Sequence, residues 1–561
     1  MIGIVAATAN GRTRAAHLER SWPDARLYEG RPGEALHRAW KECDGIVLFL
    51  AVGAAVRIVA ALLEDKLRDP GVVCVDDAGR FAVALVGGHR GGANALAGRV
   101  ADTLGATPVV TTASDAVGVP ALDSLGARLG FKVEDDSDVA AVGAALVSGE
   151  RVNLVSDVRL PLGPLPENVV RAEDPEPPVI LISDRIVGAS RPAVTYRPPS
   201  LVVGVGCSRG AGVGEILALI RSSFAEARLA VKSIASLASV DAKSDEAGLL
   251  AAAEELGVPL RYYNAEALSA VEVPNPSPVV ENAVGTPSVA EASVLASGAR
   301  LLVEKQKSEN VTVAVGRLPV RGRLFLVSLG PGDDALIPPL AREALGASEL
   351  VVGLGQYVDR IRHLLRPGTR VSTPPLGSEI ERARGALAEA RAGGSVALVS
   401  SGDVGVYAMA SPALELAGED VEVVVVPGVT AAQAAASLLG SPLGHDHCSI
   451  SLSDLLTPWE IIRERVRAAA KADFVVALYN PRSKGRDWQL GKAREILLEH
   501  RSPDTPVGIV RDAYREGQMV ILTDLGSLRP EDVDMLTTVI VGNSRTEIRA
   551  GRMVTPRGYE S

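Results

Sequence analysis

The stretch LFLVSLGPGDD, residues 324–334, divides the chain into two parts that read differently, residues 1–323 before it and a further domain that it opens. A mostly apolar run leads straight into a Gly-Pro-Gly-Asp turn, the pattern of a buried strand whose end must bend sharply. Gly330 and Gly332 are free to take positive φ, and Pro331 fixes its own. Such a turn leaves backbone N–H groups pointing outward, and at the carboxyl edge of an open α/β sheet this is a usual seat for a nucleotide-like ligand. On these residues alone, a plain strand-to-helix turn fits as well as a ligand-binding one.

Around this stretch lie 561 residues, room for roughly three to five domains at ~150 residues each. Hydrophobic residues at 47% and charged residues at 22% describe a globular, Ala/Val/Gly-rich chain. Aromatics at 3% and a net charge of -10 count against nucleic acid as a partner, which needs stacking platforms and a basic face. Cys43, Cys74, Cys207 and Cys448 are far apart and form no CxxC pair, which fits a reducing cytoplasm and excludes an ordinary zinc ribbon. The start MIGIVAATANGRTRAAH is a strand followed by polar residues, and no stretch reaches ~18 uninterrupted apolar residues. Neither export nor membrane anchoring is expected.

Residues 1–130 alternate short β-rich runs (IGIVAAT, GIVLFLAVGAAV, VVCVDD, FAVALVGG) with helical stretches and form one α/β module. Its unusual feature is GGHRGGAN, residues 87–94. The glycines let a ligand approach backbone, His89 can move a proton near neutral pH, and Arg90, with Asn94 beside it, can pair with a carboxylate. A helix-opening turn with a solvated His is the alternative. Residues 131–200 form a small middle domain with a proline-rich exit, and residues 201–318 open with LVVGVGCSRG, an anion-friendly turn carrying Arg209. The basic PVRGR, residues 319–323, links these to the last domain, 324–561.

Within that domain GPGDD, SSGDVG and PGVTAA each follow an apolar strand. The three loops can converge on one ligand only if their strands lie side by side. The fingerprint G-x-G-x-x-G is absent, so a dinucleotide site of the Rossmann type is disfavoured. HDHCSISLSDLLTPWE, residues 445–460, reads as a polar loop and precedes the strands of FVVALYNPRSKGR, PVGIVRDAYREGQ and MLTTVIVGNS.

From residue 324 to about 545 the chain resembles the tetrapyrrole methylase family, and within it the precorrin-3B C17-methyltransferases. The carriers are LGPGDD, GLGQYVD, SSGDVGVYAMA, VVPGVTAAQAAASLLGSPLGHDHCSISLSDLLTPWE and LYNPRSKGR. Residues 1 to about 318 resemble the cobalt-precorrin-5A hydrolases through AAVRIVAALLEDKLRDPGVVCVDDAGRFAVALVGGHRGGANALA, TPVVTTASD, GVGCSRG and VAEASVLASG. The resemblance implies several α/β domains, of which the last is two-lobed (about 324–435 and 436–545), with S-adenosylmethionine folded between the lobes. Carried over by motif, the cofactor contacts are Pro331, Ser401, Gly402, Asp403, Val406, Thr430, Ala431, Asn480, Ala513 and Thr537. The family commonly has Pro after the loop Asp and Gly after the Tyr, where this chain has Val404 and Ala408. Asp403 can accept hydrogen bonds from ligand or loop, or cap a helix.

The resemblance further implies methylation of C17 with contraction of the ring, a step in which acid–base groups are useful. His445, Asp446, His447, Ser453 and Asp454 are the candidates, with Arg482 and Lys484 for the carboxylate arms of the substrate. The His-x-His spacing lacks a third ligand, so no resident metal is expected and cobalt would enter only as part of the substrate. The first half would open the lactone of cobalt-precorrin-5A and release acetaldehyde, with His89 as base and the glycine-loop amides as donors to the oxyanion. No Gly-x-Ser-x-Gly elbow supports a serine esterase there. Two other readings stay open: a methyltransferase whose first half only binds tetrapyrroles, and a non-catalytic carrier. Relatives of the methylase part are commonly homodimers, which the resemblance extends to this chain.

Overall fold

The computed structural model describes residues 1–559 apart from 66–67, 89–90, 113–118, 120–121, 123–124, 158, 174, 189 and 484. It divides into two compact units, Met1–Val158 with Leu165–Val320 and Arg159–Pro164 with Arg321–Ser561.

The first unit holds three sheets. In the first, the spatial order is Ala25–Leu27, Ile2–Ala6, Gly45–Phe49, Gly71–Val75, Phe81–Val86, Thr107–Val109. All neighbours run parallel except Gly71–Val75 against Phe81–Val86. Gly45–Phe49 and Gly71–Val75 are buried at every position. Continuous apolar runs are what a parallel sheet covered on both faces requires, and two separate cores flank this one. The second sheet has the order Lys132–Val133, Ala193–Arg197, Val179–Ile182, Val152–Ser156, Val169–Arg171. The third runs Leu260–Tyr263, Ile234–Val240, Leu201–Cys207, Val311–Arg317, Arg300–Lys307.

The second unit has two lobes. Its first sheet runs Arg370–Ser372, Leu350–Val352, Ser395–Ser400, Arg323–Ser328, Glu422–Val426, with every pair parallel. Apolar clusters cover both faces. The second lobe's sheet runs His447–Ser451, Val475–Tyr479, Thr537–Val541, Pro506–Arg511, Met519–Asp524, and only its first pair is parallel. Helix Ala431–Leu439 joins the lobes, and a small sheet of Gly440–Ser441, Arg552–Val554 and Glu547–Arg549 closes the unit.

Residues 445–460 are not the polar loop expected from composition, because His447–Ser451 is a strand. Cys448 and Ile450 alternate with polar residues, and both pack on the second lobe's core. Period-two burial of small apolar residues is the edge-strand pattern, and the flanking histidines and serines disguise it.

Candidate functional site

Strand Arg323–Ser328 lies between Ser395–Ser400 and Glu422–Val426, so the three glycine-containing turns emerge side by side at the carboxyl ends of adjacent parallel strands. They are stitched together. Gly330 and Gly402 exchange backbone hydrogen bonds of 3.1 and 2.8 Å. Asp403 accepts from the Gly405 and Gly428 amides, each at 2.8 Å, joining the second turn to the third. The fully buried Ser328 hydroxyl donates to Val426 O at 2.6 Å and accepts from Val404 N at 2.8 Å. A Cβ on Gly428 would stand 2.4 Å from Ser328 Cβ, so the third turn can sit this close only as glycine. Gly330 takes the expected positive φ of 66°. Gly332 does not. What excludes a side chain there is proximity, since a Cβ would meet Arg515 Cγ and Tyr514 O at 2.4 Å.

The second lobe closes against these turns. Thr430 caps helix Ala431–Leu439 in a capping box with Gln433, accepting from its amide at 3.1 Å. Tyr479 Oη accepts from Ala432 N at 2.9 Å. Tyr407 donates to Ser449 O at 2.9 Å, and its ring lies 5.1 Å from that of Tyr479. Tyr407, Asn480, Asp512 and Tyr514 all hold positive φ, a clustering of backbone strain typical of ligand sites. Asn480 donates to Ser451 Oγ at 3.1 Å, and Arg486 donates to Asn480 O at 2.7 Å. Burial lowers the Arg486 pKa, against the opposing charge of Asp454.

Of the residues expected at the cofactor, Pro331, Ser401, Gly402, Asp403, Val406, Thr430 and Ala431 lie on or beside the stitched turns. Asn480 sits at the end of the neighbouring strand, and Ala513 is half-buried against the second lobe's core. Thr537 is buried, with its hydroxyl donating to Asp534 at 2.8 Å. Asp403 engages loop amides with both oxygens and caps no helix.

The catalytic candidates of residues 445–454 do not come together. His445 and Asp446 precede strand His447–Ser451, whereas Ser453 and Asp454 follow it, so a strand roughly 16 Å long at ~3.3 Å per residue lies between them. His445 Nδ1 accepts from its neighbour Asp446 N at 2.8 Å, and His447 Nδ1 donates to His445 O at 3.2 Å, so these side chains close their own corner. Ser453 and Asp454 stand at the end shared with Asn480, where Asp454 accepts from Gln489 at 2.9 Å. Arg482 donates to Pro530 O at 3.1 Å. Lys484 lies outside the described residues, as do His89 and Arg90. Asn94, from the same glycine loop, donates to Thr112 Oγ1 at 3.0 Å. The GVGCSRG turn is tied to a neighbouring loop, Gly210 N donating to Glu246 at 2.6 Å and Arg209 pairing with Asp245 at 2.9 Å. Among the described residues, no cluster of three or more His, Cys, Asp or Glu side chains is arranged to hold a metal.

Residues 323–529 match the model described as Tetrapyrrole (Corrin/Porphyrin) Methylases. The probable cobalt-factor III C(17)-methyltransferase of Salmonella typhimurium (strain LT2) is 49% identical over 242 residues, which are 42% of this chain and 99% of the relative. The chain belongs to the tetrapyrrole methylase family. Residues 34–115, 120–198 and 201–316 match Cobalamin synthesis G N-terminal, Cobalamin biosynthesis central region and Cobalamin synthesis G C-terminus, so the chain joins those three domains to a tetrapyrrole methylase. The cobalt-factor III methyltransferase of Priestia megaterium is 47% identical over 248 residues, 43% of this chain, and the chain spans only 46% of that relative's length. The crystal structure of the methyltransferase CobJ is 41% identical and covers 42% of this chain and 100% of its own, with a TM-score of 0.41.

One departure from the methylase pattern has a physical reading. Val404 stands where the family commonly has Pro, and its amide makes the hydrogen bond to Ser328 that a proline could not donate. Its side chain is fully buried in the first lobe's core. The candidate site also contains Ser328, Arg360, Tyr407, Tyr479, Arg486 and Arg515, which the sequence did not single out. Five of the six lie inside stretches quoted above, Ser328 in LFLVSLGPGDD, Tyr407 in SSGDVGVYAMA, Tyr479 and Arg486 in LYNPRSKGR and Arg515 in PVGIVRDAYREGQ, and Arg360 directly follows GLGQYVD.

Proposed function

We propose that residues 321–561 methylate C17 of a corrin precursor of the (cobalt-)precorrin-3 type from S-adenosylmethionine, with ring contraction to (cobalt-)precorrin-4. The single observation carrying this is the arrangement of three tied turns on adjacent parallel strands, in a segment matching almost the full length of a C(17)-methyltransferase. The residues fit the cofactor. The close approaches at Gly428 and Gly332 bring the turns together with no side chain between them, and Pro331, Ser401, Gly402, Thr430 and Ala431 would hold it. When bound, the sulfonium supplies an already activated methyl group, so the protein's task is alignment. Asp403 and Ser328 fix the turns. The apolar surface of Tyr407 and the Arg482 and Arg486 guanidiniums suit a macrocycle fringed with carboxylates. Ser453 and Asp454 supply acid–base groups for contraction, whereas His445 and Asp446 do not.

The three cobalamin synthesis G domains open the lactone of cobalt-precorrin-5A and release acetaldehyde, through the loop containing His89, Arg90 and Asn94. Four free cysteines, two of them buried, support a cytoplasmic setting. Among the described residues no helix is long and apolar enough to cross a membrane. The methylase unit forms a homodimer, a reading supported by apolar exposure on its edge strand, where Val425 is 48% exposed. Incubation with S-adenosylmethionine and cobalt-precorrin-3, and separately with cobalt-precorrin-5A, tests both activities. C17 methylation without acetaldehyde release would make the first unit a binding module, and neither product would overturn the proposal.

A further inference from the structure

Two guanidinium groups meet at the first ligand turn. Arg360, at the end of helix Gly355–Ile361, donates Nη2 to Gly332 O, and its Nη1 is buried with no hydrogen-bond partner among the described residues. Arg515 reaches over from the second lobe, donating Nε to Pro331 O at 2.6 Å and Nη2 to Ser401 Oγ at 2.6 Å. Bonded to successive carbonyls of one turn, the two side chains are electrostatic neighbours. Burial and then the charge of Arg515 lower the pKa of Arg360. Asp334 is the acidic group within reach of Arg360, and it is engaged by His363. Among the described residues, no carboxylate forms an ion pair with either arginine.

Neutral carbonyls accept hydrogen bonds but cannot offset two adjacent, partly buried positive charges. A carboxylate can, and guanidinium pairs match its two oxygens. We propose that Arg360 and Arg515 form a carboxylate-binding subsite beside the Gly330–Gly332 turn. The inference rests on the methyltransferase reading, which brings carboxylates from two sources: the amino-acid end of S-adenosylmethionine and the acid arms of the tetrapyrrole.

Calorimetric titration of the full-length protein and of Arg360→Met, Arg360→Lys and Arg515→Met with three probes separates the sources. The probes are S-adenosylhomocysteine, 5′-methylthioadenosine, which lacks the amino-acid end, and uroporphyrin III, a polycarboxylate tetrapyrrole. If the subsite holds the cofactor, Arg360→Met and Arg515→Met weaken S-adenosylhomocysteine at least about tenfold and leave methylthioadenosine unchanged. If it holds the substrate, uroporphyrin weakens by that factor and both nucleosides are unchanged. In either case Arg360→Lys, which keeps the charge, recovers part of the loss. Equal weakening of S-adenosylhomocysteine and methylthioadenosine would show that the arginines only shape the turn, and unchanged affinities for all probes would likewise overturn the subsite while leaving the methyltransferase reading intact. A wild-type protein that bound none of the probes would overturn both.

Discussion

Ser328 satisfies two turns with one hydroxyl, and it does so with no access to water. Ser328→Ala strands the Val404 amide and frees Val426 O, so unfolding by denaturant should show a loss of about 1–3 kcal/mol. Affinity for S-adenosylhomocysteine should fall with it, because the turns lose their spacing. Cys74 gives a residue-scale pH test in the first unit. Burial pushes its thiol from the ordinary 9.0 up to about 11. Folding therefore favours the neutral thiol. Above pH 9 the unfolded chain ionises while the folded one does not, so this contribution is whole below pH 9 and is lost as pH rises toward 11. Denaturant midpoints of wild type and Cys74→Ala between about pH 8 and 11 check it: the difference should shrink with rising pH. Asp403 shows the limit of reading single residues. A carboxylate in a glycine turn was legible as a hydrogen-bond acceptor, but its partners lie 2 and 25 residues away, and only the strand order identifies them.

Helix Ala431–Leu439 begins where the third turn ends, and its start is secured twice, by the Thr430–Gln433 box and by Tyr479. Thr430→Ala should cost about 0.5–2 kcal/mol in thermal or chemical unfolding, with Thr430→Ser close to wild type. If the helix start also orders the cofactor, S-adenosylhomocysteine affinity should fall in the alanine variant and return with serine. At this scale much of the site was readable from sequence. Apolar runs ending in glycine turns marked the strands of the first lobe, because parallel strands buried on both faces have no polar side to blur the pattern. The adjacency of those strands was not readable, since register and order depend on packing among distant segments. The same limit applied to residues 445–460. A half-buried edge strand of Cys, Ser and Ile has little apolar signal, and reading it as a loop grouped side chains that stand at opposite ends of a strand.

At the scale of the whole molecule, the compact units divide between residues 320 and 321, with one detour that no sequence signal marked. Arg159–Pro164 belong to the methylase unit although they are numbered among the middle domain. Arg159 pairs with Glu349 and, at 2.8 Å, with Glu389, whose carboxyl Arg370 and then Arg159 hold below its ordinary value against the effect of burial. Arg159→Ala should lower the stability of the methylase unit by about 1–2 kcal/mol, less than for a fully buried pair because Glu389 is partly exposed. A carboxylate with a depressed pKa stabilises above its unfolded value and loses that contribution as pH falls. The thermal transitions of variant and wild type should therefore converge as pH is lowered through 4.5 and below.

The same six residues bear on how the chain is made. Arg159 and Glu389 are separated by 230 positions. At roughly 5–20 residues per second, Arg159 leaves the ribosome on the order of ten to fifty seconds before its acidic partner is synthesised. Most of the methylase unit is translated after the first unit, yet it includes six residues made well before the rest of it. A gene cut at residue 320 would separate the two units and still leave one without its strap.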